Sequence, residues 1–517
     1  MEETKTVTQN QAATTGPELF FAVIGAAGSD LSTLVETLHE RLRSFLYTPH
    51  TIRLSDALSK WFDVEAKQET TEENRIDYFM KLGNDLRYSF ERGDAVALLG
   101  LEYVRVKRRE NGNDADCPLP RFAYIFNSLK HPSEVETLRQ LYGPNLFVVS
   151  LYSPYGKRQK TLSNNIAKSY GTRDKTQYYT TADSLMQKDA KEVGNLYGQN
   201  VRTTFPKADY FIDETKNIDE QIYRFLNIIF GHPYMTPTRD EYGMFHASAA
   251  ALRSSDLSRQ VGALLTTPEG QIVAAGCNDV PASGGGHVWA DSPEKYTDNR
   301  DFMEKGYDTN TVMKYEILTE LFRALEDNEW LALTSSSQGE QPKKLADDIL
   351  TGKLDPSFKD LRIANILEFG RIIHAEMSAI CDAAARGIPV RGSWLYTTTF
   401  PCHMCARHLI AAGVKRVIYI EPYPKSMTKE LYDSETKIED EAKDDNVVEF
   451  VPFIGVSPSR YMDFFNMPQR KNEKGYTVSW SAVTPPWPRG VPTYGRYPEV
   501  EQRYVDILIR QNNGEGT

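Results

Sequence analysis

Cysteine is scarce in this chain, with five among 517 residues. That excludes a disulfide-stapled scaffold and points to a reducing compartment, the cytoplasm. A basic excess is missing as well. Sixty lysines and arginines stand against 71 aspartates and glutamates, a formal net charge of −11. A long electrostatic track for DNA or RNA normally needs a basic face, so this balance argues against a polynucleotide partner. No uninterrupted apolar run approaches the ~18 residues of a membrane span, so no membrane partner is expected. Residues 1–18 lack the apolar core of a signal peptide and read as a disordered lead-in.

What the chain does contain is His374-Ala375-Glu376, followed by Pro401-Cys402-His403-Met404-Cys405. One imidazole and two thiolates make a three-ligand zinc set, with a fourth tetrahedral position left for water, as a catalytic site requires. Zinc at such a site lowers the pKa of its water from about 15.7 toward about 7. Glu376, two residues beyond the first ligand, is placed to take that proton and pass it on. The order H-x-E…P-C-x-x-C is the signature of zinc nucleobase deaminases, in which the Glu is not a ligand. A lone C-x-x-C also suits a redox pair or half a zinc ribbon. No second C-x-x-C completes a ribbon, however, and a redox pair leaves His374 and Glu376 without a role. Cys117, Cys277 and Cys381 read as buried or incidental thiols. The expected cofactor is one Zn2+ per chain.

The local pattern supports this site. Residues 394–400 are aromatic and Thr-rich and predict a strand. Pro401 suits the first turn of a helix over 402–412 that stops at Gly413, and a second helix covers 377–386. The ligands then sit at two helix N-termini, whose dipoles favour thiolate over thiol.

At 517 residues the chain is too long for one ordinary core, and alternating strands and helices predict an α/β protein of two domains. In the first, over 19–235, an apolar strand at 19–24 runs into Gly25-Ala26-Ala27-Gly28-Ser29-Asp30-Leu31-Ser32-Thr33 and then a helix. That is the context of a P-loop, with Gly25, Gly28, Ser29 and Ser32 as candidate nucleotide-binding residues. The motif is degenerate, because Asp30 stands for its second Gly and Leu31 for the Lys that reaches the β/γ-phosphates. Helix N-terminal amides could still hold a phosphate. No Walker B acid follows the strand at 122–126. Lys157, Arg158 and Lys160 could cover a phosphate or simply face solvent. Further strands are expected at 51–54, 95–99, 146–150 and 209–213, and a helical connector at 218–230 leads to a boundary near 235.

The second domain is expected over 236–475. It opens with an Ala-rich helix at 245–255 and a hairpin made by 258–265 and 271–276, followed by Cys277-Asn278-Asp279-Val280-Pro281. Together with the H-A-E helix, Thr398-Thr399-Phe400-Pro401-Cys402-His403-Met404-Cys405 and the strand ending near Tyr423, this resembles the deoxycytidylate deaminase family across residues 245–465. With the P-loop-like domain added, the architecture is similar to the bacterial anti-phage dCTP deaminases. The resemblance implies a cytidine-deaminase-like α/β/α sandwich and deamination of dCTP, with dCMP as a further substrate, that depletes dCTP during infection. It also implies a homo-oligomer such as a hexamer, allosteric dCTP or dTTP, and an inhibitory regulator such as a small RNA. By position it makes Asn278 a candidate for sugar or effector and Arg259 for phosphate. Tyr423 and Lys425 are further candidates near the substrate. Some relatives carry an extra structural zinc, and His287 lies near that place, but without a nearby Cys.

An insertion at about 293–361 carries a helix near 312–328 and a polar linker at 335–339. It reads as a cover or an oligomer contact. Residues 476–517 are a Pro- and aromatic-rich tail that wraps a surface. The rival readings are a tRNA or single-stranded DNA deaminase, disfavoured by charge, and a nucleotide-sensing regulator with a weak deaminase.

Overall fold

The computed structural model describes residues 16–64, 71–292, 298–331, 341–353, 355, 358, 361–422, 426–439, 446–467, 469–480, 488–492 and 496–512. The polar linker at 335–339 and most of the lead-in fall outside them. The chain forms two compact units, Met1–Glu241 with Ile454–Thr517, and Tyr242–Phe453. The first holds β1 (Leu19–Gly25), β2 (Thr48–Arg53), β3 (Phe122–Asn127), β4 (Leu146–Tyr152) and β5 (Tyr210–Asp213). The second holds β6 (Gly262–Thr266), β7 (Ile272–Cys277), β8 (Trp394–Thr399), β9 (Arg416–Glu421), β10 (Thr436–Ile438) and β11 (Val448–Pro452), and β12 (Gly455–Val456) returns to the first.

The first sheet runs in the order β12-β5-β4-β1-β3-β2, parallel except at β12. Its central strand, Leu-Phe-Phe-Ala-Val-Ile-Gly, is buried at every residue, as expected of a parallel strand covered on both faces. Residues 95–99 are not a strand. They open the helix Ala95–Glu110, buried from Ala95 to Leu101. A helix submerged all round reads as a continuous apolar run, which periodicity cannot tell from a buried strand. Gly100 permits that depth, since a Cβ there would lie 2.7 Å from the Phe126 ring.

Helix Ala95–Glu110 also carries Arg108, 0% exposed, which donates to Glu18 and to Glu501, both buried. Glu18 lies within the expected lead-in and Glu501 within the expected tail. Residues 497–512 form a helix packed on Ala95–Glu110, so this stretch belongs to the core of the first unit. A guanidinium so deeply buried requires both carboxylates, and they bind the two distant segments to it.

The second sheet runs β10-β11-β9-β8-β6-β7, with β6 antiparallel to both β7 and β8 and the remaining pairs parallel. Ala263 pairs with Gly276 and Gly262 with Cys277, so Gly262 and Gly276 point to opposite faces. A Cβ on Gly276 would lie 2.2 Å from the Ala375 carbonyl, and one on Gly262 1.9 Å from that of Ala247. Helices Ala375–Ala385 and Arg239–Ala251 therefore press on the two faces, and the unit is an α/β/α sandwich. The close approach that Gly276 allows sets the start of Ala375–Ala385, where the site is built.

Candidate active site

His374 is the N-cap of helix Ala375–Ala385 and Cys402 that of His403–Ala412, both with extended backbone. The second helix ends at Gly413 in the left-handed region, at φ 74°. β8 delivers the chain to Pro401, and the two helix starts converge. His374 Nδ1 lies 3.3 Å from Cys402 Sγ and 3.3 Å from Cys405 Sγ. The three ligand atoms fall within 4.8 Å of one another, the one such His, Cys and carboxylate cluster among the described residues. An imidazole nitrogen and two sulfurs form the soft donor set that zinc takes, so the residues fit that metal.

The electrostatics of the three groups are mutual. Cys402 is held down at about 4, first by the hydrogen bond from Cys405, then by His374, against the cost of its burial. Cys405 is pushed well above the usual thiol range by that same bond and by burial. The hydrogen bond with Cys402 raises His374 to about 9. Glu376, 3% exposed, is raised above the ordinary carboxylate range by burial first and by the negative charge at Cys402 second. A carboxyl group so placed is readily protonated, as a group that must carry a proton in both directions requires.

The cluster opens onto a cavity of about 340 Å3 whose lining includes His374, Glu376, Cys402, Asn278 and Arg259. The sequence-derived candidates divide. Arg259 lines the cavity half-exposed, in an ion pair with Glu421 at 3.3 Å. Asn278 is buried, and its side-chain amide is engaged by the protein. It accepts from the Val261 N–H at 2.7 Å and donates to Asp256 at 2.6 Å and to the Arg259 carbonyl at 2.9 Å. It thereby fixes the segment that presents Asp256 and Arg259. Tyr423 and Lys425 lie outside the described residues.

Sequence reasoning missed the part that the insertion plays. Asp308, Asn310, Thr311 and Lys314, at the start of helix Thr309–Asp327, all line the cavity. Lys314 Nζ donates to the Ala364 carbonyl at 3.2 Å. Asp308 ahead of Thr309 is a legible N-cap, but nothing local in the sequence says which surface the helix covers. Thr399 was also missed. It lines the same cavity, and its buried hydroxyl has no partner among the described residues. His287 sits apart from the cluster, its Nε2 3.2 Å from Ser378 Oγ.

In the first unit, the glycine loop has its own occupants. The Ala27 N–H donates to Asp189 at 2.7 Å and the Asp30 N–H to Glu214 at 3.1 Å. Asp30 caps helix Leu31–Ser44 by accepting from the Thr33 N–H and from the Ser32 hydroxyl, and the Ser29 hydroxyl donates to Ala26. Gly28 has φ +89°, and a Cβ there would lie 2.6 Å from the Arg158 carbonyl. Lys157 pairs with Glu214 at 3.1 Å, while Arg158 donates to the Ser153 carbonyl. No helix of the described residues is long and apolar enough to cross a membrane.

The chain is similar to known proteins over part of its length. ComE operon protein 2 of Bacillus subtilis is 45% identical over 53 residues, 10% of this chain and 28% of that protein. Deoxycytidylate deaminase of Enterobacteria phage T4 is 41% identical over 54 residues, again 10% of this chain and 28% of the relative. The chain thus spans under a third of the length of the curated relatives it matches. Among solved structures, a dCMP deaminase from cyanophage S-TIM5 in complex with dCMP and dUMP is 18% identical, covering 42% of this chain and 99% of that one at a TM-score of 0.22. Residues 237–421 match the cytidine and deoxycytidylate deaminase zinc-binding region, the segment that carries His374, Glu376, Cys402 and Cys405.

Proposed function

We propose that the second unit hydrolytically deaminates a free cytosine deoxynucleotide, dCTP and also dCMP, to the uracil form and ammonia. The observation that carries this reading is the convergence of His374, Cys402 and Cys405, with His374, Cys402 and the buried Glu376 lining one cavity. His374 Nδ1 and the two sulfurs would hold zinc, one per chain, which when bound supplies an acidified water at neutral pH. Glu376 takes the proton of the attacking water and delivers it to N3 of the pyrimidine. The water oxygen bonds to C4 as the C4=N3 double bond opens. Glu376 then takes the proton of the new C4 hydroxyl and passes it to the amine, which leaves as ammonia as the C4–N bond breaks and C4=O forms. Burial raises the proton affinity of Glu376, which suits it to both transfers. The Thr399 hydroxyl, buried and without a partner among the described residues, supplies a polar group for the base or sugar. Arg259 and Lys314 are the cationic residues of the cavity lining and mark its phosphate end.

The net charge of −11 favours a mononucleotide over a polynucleotide. The wider reading covers depletion of dCTP as an anti-phage defence, homo-oligomeric assembly, and control by dCTP or dTTP and by an inhibitory regulator. It rests on the resemblance in architecture. Incubation of the zinc-loaded chain with dCTP, dCMP, deoxycytidine and a single-stranded oligonucleotide, followed by chromatography, tests the substrate. Conversion of dCTP and dCMP ahead of the oligonucleotide is expected. An oligonucleotide deaminated faster than any mononucleotide would overturn the assignment.

A further inference from the structure

The first unit contains a second cavity, of about 390 Å3, within the size range of small-ligand sites. Its floor is made where three adjacent parallel strands end. Ala27 and Gly28 follow β1, Arg53 closes β2 ahead of Ser55, and Asn127 closes β3 ahead of Ser128 and Lys130. Ligands of open α/β sheets bind outside the carboxyl ends of their strands. We propose that this cavity binds a nucleoside monophosphate and holds it without phosphoryl transfer.

The lining divides by chemistry. Leu58, Phe79 and Met80 are among its apolar members, and Phe79 offers an aromatic ring that can stack on a base. The lining also holds Arg53, Arg75, Arg87 and Lys130, against a single carboxylate, Asp189. Arg87 is 1% exposed and donates to Glu134 at 2.8 Å, yet its buried Nε has no partner among the described residues. A buried guanidinium N–H left unpaired is costly unless an acceptor arrives. Arg53 is exposed and makes no side-chain hydrogen bond or ion pair among the described residues. Arg75 is tied only to Glu72, one helical turn away and partly exposed, a pair weak enough to exchange for a phosphate. Arginine forks match phosphate oxygens well.

The adjoining loop limits the ligand to one phosphate. The Ala27 and Asp30 amides already donate to Asp189 and Glu214, and Leu31 supplies no charge for a β- or γ-phosphate. Lys130 is likewise held, by the Gly25 carbonyl at 2.9 Å and by Asp189 at 2.8 Å. Three arginines and the apolar lining remain, which a nucleoside carrying a single phosphate satisfies.

The test uses the full zinc-loaded chain with Glu376→Gln, so that nothing is turned over, in titration calorimetry with AMP and dTMP. Adenosine, thymidine and inorganic phosphate serve as controls. At least one monophosphate should bind once per chain, with its nucleoside and inorganic phosphate at least tenfold weaker. Arg53→Ala, an exposed position that leaves the core intact, should weaken binding at least tenfold, and Lys314→Ala in the other unit should leave it unchanged. Absence of binding by either monophosphate at millimolar concentration would overturn the proposal. So would binding indifferent to Arg53→Ala, or binding lost on Lys314→Ala, which would place the ligand in the deaminase cavity. Inorganic phosphate binding as tightly as the nucleotides would refute the role of the apolar lining. Conversion of AMP to ADP on addition of ATP would refute the claim that nothing is transferred.

Discussion

In the second unit, two helices begin at His374 and Cys402, and those two residues line an open cavity within a cluster that could hold a metal. In the first unit, helix Leu31–Ser44 begins at Asp30, and the amides of its glycine loop are met by Asp189 and Glu214 from the same unit. The physics at the three helix starts is alike, since each favours a negative group. The consequence differs with the source of the charge. Thiolates at the second site can be shared with a metal, whereas carboxylates at the first complete the loop from within. A strand-loop-helix motif is therefore not a nucleotide site until its donors are found free.

The largest effect that would break this contrast lies at the ligands. Cys402→Ala or Cys405→Ala should lose both zinc and deamination, because two remaining protein ligands rarely hold a catalytic zinc. Metal analysis of the purified variants checks it. Next comes the buried charge cluster of the first unit. Arg108→Ala leaves Glu18 and Glu501 buried without their cation, at a cost of about 3–5 kcal/mol, read as a lowered midpoint of thermal unfolding. Asp189→Ala sharpens the contrast itself. It strips the Ala27 amide of its acceptor and Lys130 of its counter-ion, and should cost about 1–3 kcal/mol in the same measurement. Lys314→Ala should be the mildest. KM for dCTP should rise about tenfold, equivalent to ~1.4 kcal/mol, with little change for deoxycytidine, which lacks the phosphates. An equal change for both substrates would remove Lys314 from the phosphate end.

What could be read from the sequence follows from how far apart the cooperating residues lie. His374 with Glu376, and Cys402 with Cys405, are spaced within single helix starts, so their chemistry is written locally. The hairpin of β6 and β7 is nearly as legible, because its two strands are adjacent in sequence and joined by a Pro-Glu-Gly turn. The ion cluster of Glu18, Arg108 and Glu501 includes a hydrogen bond between residues 393 positions apart, and no local pattern announces it. The cavity wall from Asp308 to Lys314 was hidden for the same reason, since its helix could be foreseen but not its packing. Residues 95–99 failed differently. Burial on all sides erased the amphipathic period that distinguishes a helix from a strand.

The central claim is that Glu376 moves protons beside a metal held by other residues, and Glu376→Gln tests it most directly. Zinc per chain and product formation from dCTP should be measured on the same preparation, beside the unaltered chain. The variant should keep its full zinc content while the deamination rate falls about 10^2–10^4-fold, the range for a lost general acid–base. Zinc lost in proportion to activity would make Glu376 a ligand, and undiminished deamination would remove it from the reaction.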